Sequence, residues 1–149
     1  MLKVIHISRF GFLKEKQRSV LVELISYLLV LLFVYTAASK LLTIETFTDV
    51  LSKYPLIGGY PEFVAYFIPL IELLTAALLI IPSLKRFGLF ASSFLMLSFL
   101  LYIIYLFVFN QALPCSCGGI ISKLSWQQHI WFNSFFLFLS LIGLKMYKK

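Results

Sequence analysis

Four long apolar runs, at 20–42, 63–81, 87–109 and 126–144, constrain this chain more than any other feature. Each holds 19 to 23 residues. At about 1.5 Å rise per residue, a helix of that length crosses a hydrocarbon core of about 30 Å. A backbone N–H or C=O left unpaired in lipid costs several kcal/mol, so each run is expected to be helical. The runs take up more than half of the 149 residues, and only 13% of the chain is charged. No soluble domain of this size buries that much apolar surface. The expected fold is therefore all-α, a polytopic membrane protein built as a bundle of four transmembrane helices. The first run follows a basic segment and contains Thr36-Ala37-Ala38-Ser39, as a signal peptide would. Its apolar stretch exceeds the roughly 7–15 residues of such peptides, which favours an uncleaved span.

The net charge of +7 acquires its meaning from placement. Ten of the thirteen Lys and Arg residues lie in the N-terminal segment 1–19, the hinge 82–86 and the tail 145–149. The loops 43–62 and 110–125 hold Lys53 and Lys123, and Lys40 lies inside the first run. This bias places both termini in the cytoplasm and both loops on the periplasmic side of a bacterial inner membrane. Basic residues are not interleaved with exposed aromatics along one stripe, so nucleic acid is excluded as a partner. In the first outer loop, Ile44, Phe47, Val50 and Leu51 recur at helical spacing. They predict a short interfacial helix, ending near Pro55 and Gly58-Gly59, that packs over the bundle or gates a substrate.

The only two cysteines, Cys115 and Cys117, stand in Leu113-Pro114-Cys115-Ser116-Cys117-Gly118-Gly119 of the second outer loop. The proline and the two glycines predict a tight turn that brings the thiols within bonding reach. A bridge closing one intervening residue restrains little chain entropy and is a poor staple. Strained and exposed on the oxidising side, it exchanges readily. Three readings fit the pair: a thiol–disulfide exchange site, a soft-metal site for copper(I) or zinc, and a passive loop pair or protein contact. Two thiolates are too few ligands for a closed metal site, so no metal is assigned.

Polar residues inside the runs are the other candidates. Trp126, His129 and Asn133 share one helix face with Ser140, and that face is expected to point into the bundle. His129 either takes a proton from a thiol or sits with Trp126 at headgroup level. Asn133 is expected to hydrogen-bond between helices. Lys40 and Glu72 lie where an unpaired charge costs about 2.5–3.5 kcal/mol or more. Lys40 has the reach to pair with Glu72, which would fasten spans one and two or furnish a proton or quinone site. Tyr102 and Tyr105 either line a pocket or pack. Glu23 lies within reach of headgroup water, and no chemistry is expected of it.

These residues resemble those of the MauE/DoxX family of redox-associated membrane proteins. The likeness is carried by Ala37-Ala38-Ser39-Lys40-Leu41, Ile68-Pro69-Leu70-Ile71-Glu72, Pro114-Cys115-Ser116-Cys117-Gly118-Gly119 and Leu124-Ser125-Trp126 through His129 and Asn133. It extends over residues 20 to 144. The resemblance implies a four-helix membrane bundle. The MauE branch is associated with methylamine utilisation, helping a periplasmic thioredoxin-like partner to handle disulfides of methylamine dehydrogenase. The DoxX branch is associated with quinone-linked oxidation of sulfur compounds. MauE-type loops often read Cys-Gly-Cys followed by Phe-Gly. Here Ser116 and Gly118-Gly119 stand in those places and both thiols are kept.

The function expected from the sequence is a thiol–disulfide relay in the inner membrane. Cys115 and Cys117 exchange with the thioredoxin-like partner, with Cys117 the less crowded attacker, and His129 assists proton transfer. Lys40, Glu72, Tyr102 and Asn133 are the candidates for holding a cofactor. The sequence dictates none, and quinone is the one that suits the relay. Besides the lipid bilayer, subunits of a membrane complex are candidate partners. The alternative is a non-catalytic subunit or assembly factor of such a complex, favoured by the small extramembrane mass. A small transporter or metal-handling protein comes third.

Overall fold

The computed structural model of the protein describes residues 2–54, 57–109 and 125–147. They form five helices: α1 (Leu2–Leu42), α2 (Ile44–Ser52), α3 (Pro61–Ile80), α4 (Lys85–Phe109) and α5 (Trp126–Met146). No strand occurs among the described residues. Four stretches are long and apolar enough to cross a membrane: Glu15–Leu42, Pro61–Ile80, Lys85–Phe109 and Gln127–Met146. The fold is thus an all-α, four-span bundle with one short extra helix in the first loop.

Local chemistry sets the helix ends. Residues 2–42 contain no proline, so α1 continues through the basic segment instead of starting at the apolar boundary. Pro61 occupies the first turn of α3, where its missing N–H has no intrahelical role. Ser125 caps α5 in a reciprocal box: its hydroxyl accepts from the Gln128 N–H, and its own N–H donates to the Gln128 side-chain oxygen. Lys85 and Arg86 open α4, so the basic hinge expected over 82–86 narrows to a turn between Ile81 and Leu84. The reason is an interaction between remote residues. Lys85 is only 5% exposed because its ammonium donates to the Glu23 carboxylate of α1.

The four long helices close a ring in which α1 packs on α3, α3 on α4, α4 on α5, and α5 back on α1. At the hinge end the ring is filled by Leu29, Phe33, Leu79 and Leu89, all at most 1% exposed. At the loop end Phe47, Leu51, Tyr54, Ala65 and Leu106 form a second cluster. The amphipathic α2 turns Phe47 and Leu51 inward over that end. In lipid such contacts gain from close packing and interhelical hydrogen bonds more than from expelled water. One such bond runs from Ser93 Oγ to Ser140 Oγ at 2.9 Å, joining α4 to α5.

The crossing of α3 and α4 is set by one residue. A Cβ at Gly88 would lie 2.8 Å from the Leu79 nitrogen and 2.9 Å from the Leu78 carbonyl carbon, both backbone atoms that cannot move aside alone. Gly88→Val is therefore expected to lower stability by about 1–3 kcal/mol or more, the cost of overpacking. A Cβ at Gly59 meets nothing within 4 Å, so Gly59→Ala should stay within about 0.5 kcal/mol. Unfolding of both variants in the same micelles checks this, and equal losses would refute the tight crossing.

Candidate functional site

Two charges that the apolar runs make improbable come together. Lys40, in the last turn of α1, places its Nζ 2.7 Å from Oε1 of Glu72, midway along α3. The residues are 6% and 1% exposed, so both are buried away from bulk solvent. The pairing that the reach of Lys40 predicted is the one the structure shows. The ammonium also lies 6.0 Å from the ring centroid of Phe99 on α4, at the outer limit of a cation–π contact.

The cap at Ser125 fixes the register of α5, and its inward face carries His129 at 0%, Asn133 at 8% and Ser140 at 0% exposure. His129 is therefore inside the bundle, not at a headgroup rim. Neither of its ring nitrogens has a hydrogen-bond partner among the described residues. Asn133 differs from expectation. Its Nδ2 donates to the His129 carbonyl one turn back on the same helix, at 2.9 Å, not across to a neighbouring helix. A short amide reaches that carbonyl without stretching across the bundle.

Both groups face one cavity of about 200 Å³ at the loop end of the bundle. Lys40, Glu72, Tyr102, His129 and Asn133 all line it, so four helices bring five of the seven site residues named from the sequence to one space. The remaining wall is chiefly hydrocarbon and aromatic, with Leu32, Met96, Phe99 and Phe132 among it. Phe47 and Leu51 of α2, with Tyr54 beyond it, also line the cavity. Tyr54 meets Tyr102 edge-on at 6.2 Å, and Tyr105 stacks on Tyr102 at 6.4 Å. Sequence reasoning missed Thr36 and Tyr54 as lining residues. For Thr36 the available signal was its place one turn before Lys40 on the same face.

Cys115 and Cys117 lie outside the described residues. Their segment connects Phe109 to Ser125, and His129 follows Ser125 by about one helical turn. The described ends that this segment joins, Phe109 and Ser125, lie at the end of the bundle that holds the cavity. Among the described residues no group of three or more His, Cys, Asp or Glu is placed to hold a metal.

The cavity offers an imidazole without a partner among the described residues, a buried ion pair and a phenol in apolar surroundings. Such a space has room for a small ligand, and an imidazole can hold or pass a proton. A family model described as methylamine utilisation protein MauE matches residues 18–146. No curated protein and no solved structure matches the chain.

Proposed function

The chain belongs to the MauE family, membrane proteins of the methylamine utilisation type, and on that premise we propose that it is a membrane thiol–disulfide relay. Cys115 and Cys117 carry the exchange. As a disulfide, the pair is attacked by a thiolate of a periplasmic thioredoxin-like protein to give a mixed disulfide. The partner's second thiolate resolves it. The partner leaves oxidised, and two electrons and two protons remain on the Cys115–Cys117 dithiol. The reverse sequence carries the same atoms the other way. In this reading the loop end of the bundle faces the periplasm, as the Lys and Arg bias predicts.

The observation that carries the reading is the cavity at the bundle end where α4 and α5 flank the cysteine segment, with His129 buried in its wall and unpartnered among the described residues. A buried imidazole in that state fits a ligand that accepts a hydrogen bond. The apolar wall suits a lipid-soluble ring, and a quinone bound there would supply a two-electron, two-proton acceptor. Toward it His129 donates a hydrogen bond and relays a proton from the thiols. Lys40 and Glu72 add a buried ion pair to the same lining. Tyr102 and Asn133 shape the space.

Trapping tests the relay. Cys115→Ser and Cys117→Ser are made singly, and one of them is expected to accumulate a mixed disulfide with a periplasmic thioredoxin-like protein, released by reductant. Absence of such an adduct from both variants would remove the relay. Full complementation by the double variant would instead assign a subunit or assembly role, which the small extramembrane mass favours.

A further inference from the structure

A second polar space lies at the opposite end of the bundle. A groove of about 280 Å³ runs between α1 and the end of α5, lined by Glu15, Arg18, Ser19 and Glu23 with Met146 and Tyr147. Tyr147 is held in place by its hydroxyl, which donates to the Pro82 carbonyl at 3.2 Å. Arg18 is half-buried and makes no ion pair among the described residues. Glu23 gives one carboxylate oxygen to Lys85.

Depth identifies the class of ligand. Among the described side chains of α1, the exposed charged residues Glu15 and Lys16 give way to exposed Val20, Leu21 and Leu24 beside the groove. That boundary between charged and apolar exposed surface is where phospholipid headgroups lie. Charge narrows the class. A guanidinium suits phosphate, which it binds bidentately. Glu23 is compensated by Lys85, but Glu15 adds a carboxylate to the same lining that disfavours a headgroup carrying only negative charge. The two carboxylates suit a headgroup that also carries a cation, and a primary ammonium has N–H groups to give them, whereas a quaternary one has none.

We propose that this groove binds a zwitterionic phospholipid with a primary-amine headgroup, its phosphate on Arg18 and its ammonium toward Glu15 and Glu23. The acyl chains then lie along the exposed apolar face of α1. This site is independent of the thiol relay and of the cavity at the loop end.

Native mass spectrometry of the full chain tests it, with phosphatidylethanolamine, phosphatidylcholine and phosphatidylglycerol of identical acyl chains added at equal concentration. Phosphatidylethanolamine is expected to be retained about tenfold better than either of the others, the worth of a charge-assisted hydrogen bond. Arg18→Gln should abolish that retention, and Glu15→Gln should narrow the margin over phosphatidylcholine. Both positions are outside the packed core, and unchanged helix content by circular dichroism confirms the fold. Equal retention of the three lipids, preference for phosphatidylglycerol, or retention unaffected by Arg18→Gln would overturn the proposal. So would binding of free phosphoethanolamine as tight as that of the lipid, which would make the groove a site for a soluble ligand.

Discussion

Lys40→Met is expected to destabilise the bundle by about 3–5 kcal/mol, because it leaves the buried Glu72 carboxylate without its cation. The two groups lie 2.7 Å apart at 6% and 1% exposure, away from bulk water, so the lost contact is not replaced by full hydration. An exposed ion pair would lose only about 0–1 kcal/mol on the same change. The double variant Lys40→Met, Glu72→Leu removes both charges and is expected to recover most of the loss, since a matched apolar pair is often as stable as a buried ion pair. Reversible unfolding of the single and double variants in one micelle or bilayer system measures this cycle. A loss below about 1 kcal/mol for Lys40→Met would show that the pair is solvated in the membrane.

The same cycle separates a structural from a functional pair. If the ion pair only fastens α1 to α3, the double variant regains thiol exchange along with stability. If its charges serve a ligand in the cavity, the double variant folds and remains slow. Both side chains line the space that His129 also faces, so the second outcome would assign them to the same site.

These contrasts also show which parts of the molecule sequence reasoning reaches. The four spans are legible because lipid permits few alternatives for twenty apolar residues. Lys40 and Glu72 are legible for the converse reason: a charge inside such a run needs a partner, and few are within reach. The amphipathic spacing of Ile44, Phe47 and Leu51 announced α2 in the same way. Lys85 was not legible. At a span boundary a lysine ordinarily marks the membrane side, and nothing nearby in sequence points to Glu23, which is 62 residues away. The continuation of α1 to Leu2 was also hidden, because hydropathy reports where lipid ends and not where a helix stops. The inward face of α5 was legible from its period. The acceptor of Asn133 was not, since an inward amide has its own helix carbonyls as well as its neighbours to choose from.

His129→Leu is expected to separate stability from function in the opposite sense to Lys40→Met. The imidazole is fully buried, and neither nitrogen has a partner among the described residues. A buried polar group without a hydrogen bond costs about 1–3 kcal/mol, so an apolar side chain of similar volume should leave stability unchanged or raise it. If His129 donates to a bound quinone and passes a proton from the thiols, its loss should slow reoxidation of the Cys115–Cys117 pair by about 100-fold, the lower range for general acid–base catalysis. Thermal unfolding and quinone-dependent thiol reoxidation, measured on one preparation, give both answers. A variant that loses stability by more than about 1 kcal/mol while keeping its rate would mean that the ring has a structural partner in segment 110–124. A variant that keeps its stability and loses its rate identifies a group maintained against the packing preference of the bundle. That outcome would assign the imidazole a chemical role, because nothing in the described packing around it favours an imidazole over a hydrocarbon.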